Sequence, residues 1–143
     1  MTDPSAAAPR FHRKSLAALL AFLGGGLGLH RLYLGLRGWW LAPALVATSL
    51  PWLIGTHPWY QAPAFFVAMF PVVVGFVEAV VLALTTDPKF DARYNAGVER
   101  RNRSGWDAVL VALATMVVGT IIALTAIVLL VQTIVEKMQA GTG

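Results

Sequence analysis

Glu78, within VGFVEAVVLAL, is the only acid inside an apolar run long enough to cross a membrane, and it lies six residues before Leu84. Six residues of helix place it about 9 Å from that end. A carboxylate at such depth titrates, couples an ion, or is locked by a cation. Its best partner is Arg31 in GGGLGLHRLYLGL, residues 24–36, followed by His30 and Arg37. The lock is favoured over a conduction path, which needs several polar groups inside the membrane. Other chemistry finds no residues to carry it. His12, His30 and His57 are scattered without a carboxylate or second histidine at ligand spacing, and there is no cysteine, so no metal site is expected. No HExxH, G-x-S-x-G or P-loop pattern occurs, and no strand precedes GGGLG to make it a phosphate loop. The expectation is a protein without enzymatic activity or cofactor.

The elements that position these residues follow from composition. Of 143 residues, 57% are apolar and 13% charged, about half the charge of an ordinary soluble domain. Four apolar stretches carry this bias: residues 15–29, 39–54, 62–84 and 108–135. The last two exceed the roughly 20 residues a crossing needs. The first spans only about 21 Å as a helix, which favours a short or re-entrant helix that dips in, turns at Gly24, Gly25, Gly26 and Gly28, and climbs back. The expected fold is therefore an all-α integral membrane protein with three transmembrane helices plus an N-terminal short or re-entrant helix with a Gly-rich break. Arg10, Arg13 and Lys14 before SLAALLAFL resemble a signal peptide, but no clean A-x-A site follows.

Charge sets the orientation. The eleven basic residues avoid the segment THPWYQAP, residues 56–63, and five of them, Lys89, Arg93, Arg100, Arg101 and Arg103, gather between the last two stretches. The positive-inside rule puts THPWYQAP outside and residues 85–106 in the cytoplasm, with the N-terminus cytoplasmic and the C-terminus external. Tyr33, Trp39, Trp40, Tyr94 and Trp106 then fall at the inner boundary, and Trp52, Trp59 and Tyr60 at the outer. Pro43 is expected to kink the second crossing. The net charge of +4 reports this orientation, and nucleic acid is not an expected partner.

The run KSLAALLAFLGGGLGLHRLYLG, residues 14–35, resembles the signature of the TM-two (two-transmembrane) domain family. In that family a lysine-serine start, an alanine-leucine helix, a glycine-rich break and an H-R-aromatic-Y-L-G element recur. His30, Arg31, Tyr33, Leu34 and Gly35 occupy the motif positions, with Leu32 in place of the usual aromatic. LTTDPKFDARYN, residues 84–95, is similar to a loop of bacterial members with additional helices, so the resemblance implies a bacterial inner membrane. It implies no established reaction.

The chain divides into a polar tail (1–14), a TM-two-like membrane region (15–84), a basic cytoplasmic loop with a short interfacial helix (85–106), a C-terminal transmembrane helix (107–136) and a tail (137–143). In the loop, Asp87 is expected as N-cap, Pro88 as first helical residue and Gly97 just past the end, with Arg100, Arg101 and Arg103 as candidate contacts for anionic lipid. On the last helix, Ala108, Ala112, Thr115, Gly119, Ala123 and Ala126 form a stripe of small residues that lets backbones approach closely. It packs against the chain's own helices or against another chain, and association is favoured because a bundle this small buries few faces. Together these readings describe a membrane-embedded structural or interaction subunit. Its expected partners are membrane lipids and other transmembrane proteins or itself, as a homo- or hetero-oligomer. The alternative is a small transporter or channel component using Glu78.

Overall fold

The computed structural model describes residues 10–141; most of the polar head, residues 1–9, and the chain end at Gly143 lie outside them. The described residues form six α-helices: α1 (Lys14–Gly24), α2 (Leu29–Tyr33), α3 (Leu41–Gly55), α4 (Pro63–Leu84), α5 (Asp87–Tyr94) and α6 (Trp106–Ala140). Single 3-10 turns, Gly25–Leu27 and Trp59–Gln61, join α1 to α2 and α3 to α4. Two helices, α4 with 22 residues and α6 with 35, are long and apolar enough to cross a membrane. At 1.5 Å per residue they measure about 33 and about 52 Å. Only 11% of the apolar window of α6 is buried within the chain, whereas the core helix of a soluble protein is mostly covered.

The three transmembrane helices expected from sequence are thus corrected to two. The second apolar stretch yields α3, 15 residues and about 22 Å, well short of the hydrocarbon thickness. The reason lies in where α3 begins. The Trp39 carbonyl sits 2.5 Å from where a Cβ on Gly28 would project, so α3 starts beside the α1–α2 turn rather than at the end of the bundle. Gly35 and Gly38, both with positive φ, bring the chain back to that point. Pro43 is the third residue of α3, in the first turn where no backbone N–H partner is needed; it marks the helix start and is not a mid-helix kink.

The α1–α2 pair is a hairpin. Lys14, at the start of α1, donates from Nζ to the Thr85 carbonyl at 2.8 Å, at the end of α4. Gly25, at the far end, lies on Gly75, midway along α4. The chain then turns through left-handed Gly28, and the Tyr33 hydroxyl accepts from the Arg13 N–H at 2.8 Å, back at the starting end. The turn packs between α4 and α3, with Gly25 and Gly28 buried and Leu27 exposed. α1 therefore covers the C-terminal half of α4, and α3 covers the N-terminal half.

The core is built from small residues. Ala17, Ala18 and Ala21 of α1, Ala79 and Ala83 of α4 and Ala112 of α6 are buried together with Leu34, Leu82 and Phe90. Where leucine gains little over lipid tails, such close backbone approach supplies the packing energy. The tightest point is Gly25 on Gly75: a Cβ on Gly25 would lie 2.5 Å from the Gly75 Cα, a backbone atom that cannot swing aside. Gly25→Val is expected to destabilise the fold by about 1 to 3 kcal/mol, the range for overpacking. Gly55→Ala, where a Cβ meets nothing within 4 Å, should leave stability unchanged; thermal unfolding of both variants in detergent measures this.

Candidate functional site

Glu78 faces out from α4 toward α2. The His30 Nε2 lies 2.5 Å from its Oε2. The Arg31 guanidinium grips both oxygens, one from Nε at 3.3 Å and the other from its terminal nitrogen. A carboxylate only accepts, so the imidazole Nε2 carries the proton toward it. The fork of arginine matches the two oxygens. The His30 side chain is 3% exposed, whereas those of Arg31 and Glu78 are 32% and 31% exposed. The site is therefore closed on the histidine side and opens at the bundle's flank. Arg37 is exposed and forms no ion pair with Glu78 among the described residues.

Every residue of the H-R-x-Y-L-G element has a local task. His30 and Arg31 hold Glu78, Tyr33 bonds the start of α1, and Leu34 is 7% exposed within the core. Gly35 takes φ +66° with nothing near its missing Cβ, so its role is conformational. The Leu36 N–H donates to the Arg31 carbonyl at 2.8 Å and the Gly35 N–H to the Leu32 carbonyl at 3.1 Å. That is a Schellman ending, whose C′ residue needs the left-handed conformation. The same ending fixes Arg31 and so its fork.

A second polar cluster, absent from the sequence reading, closes this end of the bundle. Asp87, Asp91 and Asn95 recur every fourth residue, one face of α5. Asp91 accepts from the Asn102 N–H at 2.8 Å, the Asn102 amide at 2.5 Å and the Asn95 amide at 2.6 Å. Asn95 and Asn102 both donate to the His12 carbonyl at 3.0 Å. Lys14 Nζ, nearly buried, lies 2.7 Å from Asp87. Asp87 also accepts from the Ser104 N–H and hydroxyl, each at 2.6 Å. The N-cap is Thr86 rather than Asp87, because the Asp87 carboxylate is drawn away to Lys14 and Ser104. Phe90 is fully buried, so α5 is packed into the core. The i, i+4 acid and amide spacing was the available signal, legible once α5 is known to face the start of α1.

The remaining candidates are distributed as follows. Ala108, Ala112, Thr115 and Gly119 are buried against α1 and α4, and Gly119 meets the Phe76 ring, 3.1 Å from a Cβ position. Ala123 and Ala126 are half-buried. The first four of the stripe are therefore used within the chain. Arg100, Arg101 and Arg103 are exposed. Among the described residues no three His, Asp or Glu gather into a metal-binding group. No family model matches this chain, and no curated protein or solved structure is significantly similar to it. Its resemblance to the TM-two family therefore rests on residues 14–35 and 84–95 alone.

Two outcomes follow from this geometry. A double-mutant cycle of Glu78→Gln and Arg31→Gln, read by thermal unfolding, should give a coupling of about 1 to 3 kcal/mol, between the values for exposed and buried pairs since both side chains are one-third exposed. At Asp87, burial acts to raise the carboxyl pKa, but hydrogen bonds from Lys14 and Ser104 and the lysine charge outweigh it and hold the value at about 2, below the ordinary 3.8. A depressed folded pKa contributes stability that is complete above about 4 and lost as pH falls through about 2. Melting temperature should drop between pH 4 and 2 in the wild type, and by a smaller amount in Asp87→Asn.

Proposed function

We propose that this chain is a non-enzymatic, membrane-embedded structural or interaction subunit of the TM-two type, resident in a bacterial inner membrane. Its basic end is placed in the cytoplasm. That end gathers the start of α1, the α4–α5 junction and the start of α6, and carries Arg13, Lys14, Arg93, Arg100, Arg101 and Arg103. The opposite end, where Gln61 donates to Glu136 at 2.5 Å, is external. The positive-inside rule supports this orientation, with the N-terminus cytoplasmic and the C-terminus external.

The observation that carries the reading is the state of Glu78. Its two oxygens are occupied by His30 and Arg31 of the same chain, so the one deep carboxylate is spent on holding α2 to α4. Along the length of α6 the surface left for outside contact is largely apolar. Leu110, Leu113, Val117, Ile121, Leu124 and Val128 line one side of α6 and are all exposed. Such a face suits lipid or another transmembrane helix.

The alternative is a small transporter or channel component using Glu78. One feature favours it: among the described residues the buried Nδ1 of His30 has no hydrogen-bond partner, so a donor arriving there would link the carboxylate to a second group through the imidazole. Glu78→Gln separates the readings. The subunit reading expects less folded protein in the membrane and no change in proton flux across liposomes holding the purified chain. A wild-type flux that Glu78→Gln abolishes, with folded protein undiminished, would establish the alternative.

A further inference from the structure

Residues 101–105 carry no regular secondary structure, and along RNRS exposure alternates: Arg101 and Arg103 are exposed, Asn102 and Ser104 half-buried. The alternation has a cause. Asn102 is drawn inward by Asp91, by the His12 carbonyl and by the Lys14 N–H, which donates to its side-chain oxygen at 3.0 Å. Ser104 is drawn inward by Asp87. Two inward anchors one residue apart leave the arginines on either side of Asn102 projecting the other way, as in an extended strand. Arg101 and Arg103 are thereby held as a pair.

They line a cleft of about 250 Å³ together with Arg13, Arg100 and Ser15. Arg100 is itself fixed, its guanidinium 4.6 Å from the centre of the Phe11 ring. Four arginines share this lining with one carboxylate, Asp107, and Arg101 also borders the neighbouring hollow lined by Asp87 and Asp91. Asp107 is already engaged by the Gly105 N–H at 2.9 Å and by Ser15. The cleft therefore holds excess positive charge on side chains positioned by neutral anchors, with planar donors suited to an oxyanion bearing several acceptors. Its depth is also set: it adjoins the first turn of α6, where Trp106 is 80% exposed in the manner of an interfacial anchor.

We propose that the cleft lined by Arg13, Arg100, Arg101 and Arg103 binds the phosphate of an anionic phospholipid headgroup. The lipid is favoured over a soluble phosphate because the cleft opens beside the start of a membrane-spanning helix, level with headgroups. The binding differs from the general attraction of a basic surface in being held by particular side chains in fixed positions.

The test uses the full chain in neutral detergent, titrated with short-chain phosphatidylglycerol and short-chain phosphatidylcholine and read by native mass spectrometry. The wild type should bind phosphatidylglycerol at least tenfold more tightly than phosphatidylcholine. Arg101→Gln with Arg103→Gln should weaken phosphatidylglycerol about tenfold or more. Lys89→Gln with Arg93→Gln, which removes the same charge from exposed positions on α5, should weaken it threefold or less. Equal losses in the two double variants would mean diffuse attraction and overturn the site. Inorganic phosphate displacing the lipid at matched concentration would assign the cleft to a soluble phosphate and overturn the lipid assignment. Both double variants alter exposed side chains, and an unchanged melting temperature verifies that each remains folded.

Discussion

A carboxylate placed about 9 Å inside an apolar helix needs cations, and among the described residues only α2 brings them. Much of the architecture follows from that need. For His30 and Arg31 to reach Glu78, the chain must enter beside α4, turn at half depth and return. That path requires Gly25 to lie on Gly75 with no side chain on either, and Gly28 to take the left-handed conformation against the Trp39 carbonyl. Because α1 and the turn occupy the C-terminal half of the α4 surface, α3 is left the N-terminal half, and it is short for that reason.

The second organising feature is the polar cap. Buried amides and carboxylates are costly unless paired. Here Asp91, Asn95 and Asn102 satisfy one another and the backbone at His12, Lys14 and Asn102. The cap also joins the three segments that meet at this end: the start of α1, the α4–α5 corner and the loop into α6. Lys14 lies at the C-terminal end of α4, where a cation is favoured by the helix dipole, and its bond to Asp87 carries that corner into the network. The arginines gain their positions indirectly, from neutral neighbours that face inward.

The short H-R-L-Y-L-G element shows how a motif can be structural throughout. Two of its residues bind a carboxylate, one bonds a neighbouring helix start, one fills the core and one permits a backbone conformation.

The amino-acid sequence by itself determined that its last two apolar runs form helices long and apolar enough to cross a membrane, because such runs have few alternatives to helices in lipid. It also narrowed the partners of Glu78, since one deep acid and few nearby cations leave little choice. Gly97 was readable as a turn residue just past α5, where left-handed backbone favours glycine. Tertiary structure alone decided the rest. The length of α3 depends on where its start meets the turn, which hydropathy does not encode. The small-residue stripe of α6 is identical in sequence whether it faces α4 or another chain, and only the packing turned Ala112, Thr115 and Gly119 inward. Asp87 read as a helix cap, and Asp91, Asn95 and Asn102 as ordinary polar residues, until the fold brings Lys14 and His12 against this cluster. Their significance lies in contacts more than 70 residues apart in the chain, and such pairings are set by the whole fold rather than by any local pattern.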